Sequence, residues 1–337
     1  MIEYTLVRCH ALKTRLLSEE TFQALISADD VLDVVDVLNL TDYKANLAGL
    51  TKFDAFTLER IFNEKLVERY AFLMDRAEGR LWKLVSEYGR RMEVQNITRV
   101  LRSKASETPV ERASEALLPI EGISNLNFGS MLEADDLEGV VKTLKGTVYE
   151  SVIETLDSYR VYNSLLPVEY HLKSIYYRNL MEALRRVPRG DRAELRWFIG
   201  TEIDVTNCLT CAFSTIYDYD EEFTKKLIIP YPFKIPLEVL EEAIHVRDAQ
   251  VLTRLLRPYA KIVDHILKGY DDVAEIEALR YVRSESMKEF MRGMSYAYVL
   301  SCLFLCEVEC RDLTFLVLTK HYKVEPKEVV KRLISLG

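Results

Sequence analysis

The sequence predicts an all-α protein built from three divergent copies of one helical unit. Three observations carry that prediction. First, an acid followed three residues later by Asn or Asp recurs, as Glu93 with Asn96, Asp204 with Asn207 and Glu309 with Asp312. Small or apolar residues stand one, four, seven and eight positions after each acid, which places them on one face of a helix. Second, the copies lie 111 and 105 residues apart, and other landmarks keep step with them. A period near a third of the chain is a repeat architecture. Third, the β-branched runs are short and no Asn-Gly or Asp-Gly hairpin signal joins them.

Taken in order, Tyr4 to Leu17 reads as an amphipathic helix, with Leu6, Cys9, Leu12 and Leu16 near helical spacing. Ser27-Ala28-Asp29-Asp30 reads as a capping box opening a helix through Leu38. Thr51 to Asp54 opens a long helix, after which Gly89 interrupts the pattern. Thr108-Pro109-Val110-Glu111 starts the next helix, with Pro at its first position, and Leu117-Leu118-Pro119 ends it. The second copy then follows. Ala28-Asp29-Asp30 returns as Ala134-Asp135-Asp136, Tyr43 as Tyr149 and then Tyr259, Gly89 as Gly200, and Leu118-Pro119 as Ile229-Pro230. Pro188 to Asp191 reads as a four-residue insertion that the second copy carries in a loop, and Pro326 opens a last short helix. The expected units are 1–118, 119–229 and 230–337.

Composition narrows the function. A net charge of −8 argues against nucleic acid, which wants a basic face, and permits a basic partner. Six cysteines in 337 residues are not a disulfide framework and suit a reducing, intracellular setting. Met1-Ile2-Glu3-Tyr4 lacks the basic-then-apolar pattern of a signal peptide. The longest near-apolar run, Tyr296 to Cys306, is too short as a helix to span the ~30 Å bilayer core.

Three apparent chemical motifs have plainer explanations. Asp29, Asp30 and Asp33, with Asp271, Asp272 and Glu275, resemble the aspartate-rich motifs with which helical prenyl-diphosphate enzymes hold magnesium. A capping role for Asp30 and the lack of any Arg or Lys between Asp33 and Lys44 weigh against that enzyme. Cys208 and Cys211, with Cys302, Cys306 and Cys310, suggest zinc or an iron–sulfur cluster. Yet Cys208 stands where Ile97 and Leu313 stand, and Cys211 where Val100 and Leu316 stand, so the repeat makes them core residues. His10, His171, His245, His265 and His321 form no ligand pair at helical spacing. Lys145-Gly146-Thr147 has the wrong order for a phosphate loop.

The motif residues 93/96/97, 204/207/208 and 309/312/313, with Leu117-Leu118-Pro119 and the Leu313 to Leu333 segment, make the whole chain resemble a known family. It is similar to the C subunit of archaeal and bacterial A/V-type ATP synthases, the counterpart of the d subunit in vacuolar ATPases. The cysteines of the second and third copies, the missing Gly before Glu309 and the Pro-rich Ile229 to Pro236 loop depart from that pattern. The resemblance implies a pseudo-three-fold funnel that is a torque-transmitting central-stalk adaptor, not an enzyme, with no cofactor and no metal. It implies a membrane proteolipid rotor ring and the tip of the central rotor shaft as partners, and a peripheral place on the cytoplasmic face of the membrane. The second reading is a generic helical-repeat scaffold, against which the period above 100 counts, since such repeats run ~34 to ~47 residues. For the acids Glu93, Asp204 and Glu309 there are two expectations. In one they lie in the first turns of helices opened by Gly89, Gly200 and a Thr201 capping box. In the other they form a ring that grips a basic stalk tip.

Overall fold

The computed structural model describes residues 2–336, and every regular element among them is helical. The chain divides into two compact units, one of Met1–Val85 with Ile276–Gly337 and one of Ser86–Glu275. A long helix followed closely by a second long helix occurs three times. The pairs are Ala55–Met74 with Gly79–Ala105, Leu166–Arg186 with Arg189–Ile216, and Asp271–Arg292 with Tyr296–His321. The second helix of each pair carries the motif acid, and these three are called the acid helices below.

Local chemistry sets the boundaries. Asp30, not Ser27, caps Val31–Leu38, its Oδ1 accepting from Leu32 and Asp33 N–H; Ser27 instead ends the preceding helix Glu19–Ser27. Asp54, the last residue of the expected Thr51 start, caps Ala55–Met74. The first helix is Ile2–Lys13, burying Leu6, Cys9 and Leu12, and stops short of Leu17. Pro326 opens Pro326–Arg332 as expected.

All three acid helices end in one way. Glu107, Asp218 and Lys323 have φ of 52°, 50° and 55°, the left-handed region. The next N–H reaches back to the last turn: Thr108 to Ser103 O at 2.8 Å, Tyr219 to Ser214 O at 3.1 Å and Val324 to Thr319 O at 2.9 Å. This is the six-to-one closure of a Schellman motif, usually held by glycine, here held by ordinary residues.

In the first unit the core lies where Tyr296–His321 packs on Ala55–Met74 and Ile2–Lys13. In the second, Arg189–Ile216 packs on Leu237–His245 and Ala260–Leu267. These acid helices are therefore surrounded, which explains why their polar residues need partners within the fold.

Candidate functional site

Glu93, Asp204 and Glu309 sit in the middle of their helices, not in first turns. Gly89 and Gly200 are helical and interrupt nothing. An isolated glycine costs a helix only about 1 kcal/mol, which packing on several faces outweighs. Gly200 has a different reason to be glycine: a Cβ there would lie 2.6 Å from Cβ and Cγ of Phe233. Thr201 is no cap either, since its hydroxyl donates to Trp197 O inside the helix.

Each acid is buried and holds a tyrosine. Tyr149 donates to Glu93 at 2.8 Å, Tyr259 to Asp204 at 3.1 Å and Tyr43 to Glu309 at 2.9 Å. These are the tyrosines that recur in the sequence, and their order is cyclic. The first acid takes the second tyrosine, the second takes the third, and the third takes the first. Remaining acceptor sites go to local donors. Glu93 accepts from Ser124 Oγ, and Asp204 from the N–H groups of Phe233 and Lys234. Glu309 accepts from Leu17 N–H and from Arg69, itself only 3% exposed. Burial, then the facing carboxylate, pushes the Tyr43 and Tyr149 hydroxyls well above their ordinary pKa. Burial also raises Asp204, against the hydrogen bonds that favour its charged form.

The residue three positions on makes a second lock. Asn96 accepts from Leu118 N–H and donates to Leu118 O, both at 2.9 Å and across 22 residues. Asn207 does the same with Ile229, again across 22 residues. Asp312 accepts from Ile334 N–H, 22 residues on, and from Ser335 N–H. The change of residue type has a physical reason. Leu118 and Ile229 are followed by Pro119 and Pro230, which have no N–H, so the clamp must both accept and donate to one residue. Ser335 supplies a second N–H, and a carboxylate, which only accepts, satisfies both. Burial pushes the Asp312 carboxyl up, partly opposed by these donors. The structure thus places each acid and its Asn or Asp in two separate buried locks three residues apart on one helix, and it turns all six away from solvent.

The family model described as ATP synthase (C/AC39) subunit matches residues 6–332, which includes all six lock residues. The chain belongs to that family. Among curated relatives, the A-type ATP synthase C subunit of Thermococcus onnurineus is 28% identical over 98% of this chain and 89% of its own length. The C subunit of the Archaeoglobus fulgidus A-type synthase is 25% identical over 99% and 96%, and that of Pyrococcus horikoshii 26% over 98% and 90%.

In this member of the ATP synthase (C/AC39) family, sequence reasoning missed two charged partners. Arg69, which meets Glu309, has no counterpart in the repeat pattern. Arg91 donates to both oxygens of Glu202 and to the Tyr176 hydroxyl, and its guanidinium lies 3.8 Å from the Tyr88 ring centroid. Arg91 and Glu202 are 111 residues apart, the repeat period itself. Each stands two residues before its acid, and that shared register was the signal available in the sequence.

The apparent metal motifs fall elsewhere. Asp30 is a cap and Asp33 accepts from Asp29 N–H, so that cluster serves a helix start. All six cysteines are free and buried; burial pushes Cys211 up to about 12 and holds Cys208 well above its ordinary value. Among the described residues, no group of three or more His, Cys, Asp or Glu is placed to hold a metal ion. No helix among them is long and apolar enough to cross a membrane.

Proposed function

We propose that the chain is the non-catalytic adaptor of the central stalk in a rotary A/V-type ATP synthase or ATPase. It couples the central rotor shaft to the membrane proteolipid ring and so transmits the torque that links ATP turnover to proton or sodium transport. On this reading the units 1–118, 119–229 and 230–337 form a funnel about a pseudo-three-fold axis. The wide end rests on the ring, the interior takes the shaft tip, and the chain is peripheral at the cytoplasmic face of the membrane. The observation that carries the reading is the family match over residues 6–332.

The locks support the arrangement. A cyclic order in which the third acid takes the first tyrosine is what three equivalent modules around an axis require. Contact between Arg91 and Glu202, equivalent positions of successive repeats, is what residues near such an axis make. Torque demands stiffness, and buried, mutually satisfied polar groups supply it because each alternative arrangement leaves one unpaired.

The test is functional reconstitution. Complexes stripped of the chain should hydrolyse ATP without pumping ions, and adding the purified chain back should restore ATP-driven transport. Full coupling in its absence would refute the role.

A further inference from the structure

The turn between the two long helices of the second copy gathers arginines that the fold leaves unused. Residues 185–196 hold five arginines, no lysine and two carboxylates, in a chain whose net charge is −8. Arg185 and Arg186 end the helix Leu166–Arg186 and Arg189 opens Arg189–Ile216, so of the expected insertion Pro188 to Asp191 only Pro188 lies outside a helix. Arg192 donates its Nε–H to Val187 O at 2.7 Å, which fixes the turn. Arg185, Arg186, Arg189 and Arg196 are exposed, and among the described residues they make no ion pair and no side-chain hydrogen bond. The corresponding turns of the other copies differ: Arg76 pairs with Asp75 at 3.1 Å and Arg292 with Glu289 at 2.6 Å.

Helix chemistry accounts for only half of this cluster. Cations suit a helix C-terminus, which explains Arg185 and Arg186, but they are disfavoured at the positive end of a helix, where Arg189 and Arg192 stand. Arg189, Arg192 and Arg196 fall at i, i+3 and i+7, so they share one face over about 10 Å of helix rise. Crowding like charges in one turn works against the compact state of the isolated chain. An anion brought from outside removes that penalty.

We infer that this turn docks a carboxylate-rich segment of a partner chain. The planar fork of arginine binds a carboxylate through two parallel N–H donors, and the absence of lysine fits such recognition better than a diffuse positive field. A membrane surface suits the turn less well. Lipid docking buries apolar side chains beside the cations. Here Val187 and Leu195 are already fully buried, and Trp197, 45% exposed, carries Lys234 Nζ 4.2 Å from its ring centroid. Glu182, Asp191 and Glu194, interleaved with the arginines, would also be repelled by anionic headgroups. The inference rests on the functional reading above, since it places a partner contact within that complex.

The experiment replaces Ala193, exposed between Arg189 and Arg196, by p-benzoylphenylalanine in the assembled complex, irradiates it and sequences the cross-linked product. The expected product joins position 193 to another chain of the complex, within a segment holding several Asp or Glu. The Arg189→Glu/Arg196→Glu double variant should lower that cross-link at least tenfold and melt no lower than the parent, because an acid suits a helix start. A lower melting temperature shows that the arginines serve the fold and overturns the inference. So does an undiminished cross-link in the double variant, a cross-link to lipid, to nucleic acid or to a basic or uncharged segment, or none in an assembled complex. Each of these leaves the functional reading standing. Failure of the unmodified chain to enter the complex overturns both.

Discussion

Tyr43 and Glu309 are 266 residues apart in sequence, yet the tyrosine hydroxyl donates to the Glu309 carboxylate at 2.9 Å, and Arg69 reaches the same oxygen at 2.7 Å. The pair ties the residue just before the short helix Lys44–Leu47 to the third acid helix, Tyr296–His321. It also differs from its counterparts at Glu93 and Asp204, because a buried guanidinium depends on it.

That difference ranks the acids. Glu309→Ala leaves Arg69 with its longer contact to Asp42 at 3.6 Å, and removing one member of a buried pair costs about 3–5 kcal/mol. Glu93→Ala leaves only neutral hydroxyls unsatisfied and should cost roughly 1–3 kcal/mol. Tyr43→Phe should cost about 1 kcal/mol. Urea unfolding of the three variants measures the order, and equal losses at Glu309 and Glu93 would contradict it.

The Asn and Asp clamps should not be interchangeable. Asn96→Asp sets a carboxylate against the Leu118 carbonyl and should destabilise by about 1–3 kcal/mol. Asn207→Asp should do the same at Ile229. Combining Asn96→Asp with Pro119→Ser restores a second N–H, as at Ser335, and should recover part of the loss. A double-mutant cycle showing no coupling between positions 96 and 119 would remove the explanation given for the third clamp.

Gly200→Ala should destabilise by about 1–3 kcal/mol, because overpacking forces neighbours to shift. Phe233 has little freedom to give way, since its N–H is held by Asp204. A helix-propensity effect alone would stabilise by up to about 1 kcal/mol, so the sign of the change in melting temperature separates the two.

Alkaline pH should weaken the fold. Cys211 and Cys310 are raised to about 12 from 9.0, and Tyr43 and Tyr149 stand above their ordinary 10.0. These groups stay protonated when folded and ionise earlier when unfolded. Their contribution is complete below about pH 9 and falls as pH rises toward 12. The urea midpoint should therefore drop between pH 8 and pH 10.5. Iodoacetamide should label the thiols at pH 8 only after unfolding.

Much of this was legible in the sequence. Helical class, the recurrence of Glu93, Asp204 and Glu309, and that of Tyr43, Tyr149 and Tyr259 follow from spacing. Reading Cys208 and Cys211 as core residues followed from Ile97 and Val100 in the first copy. Legibility ended where polar partners are distant. A glycine before an acid reads as a helix boundary under local rules, and nothing local reveals that Phe233 folds back against Gly200. The clamps were equally hidden, although the spacing from Asn96 to Leu118 equals that from Asn207 to Ile229. Proline after both apolar residues, and serine after Ile334, was the further signal that Asn and Asp had different work to do. Arg69 left no trace, because a single buried cation has no periodic counterpart.

The most direct test of the adaptor role is affinity isolation of the tagged chain from gently solubilised membranes. The polypeptides recovered with it are then identified by mass spectrometry before and after a high-salt wash. The account predicts that both the proteolipid ring and the central rotor shaft are recovered with the chain, and that the isolated chain alone shows no ATP hydrolysis. Recovery of neither ring nor shaft, or ATP hydrolysis by the chain alone, would contradict it.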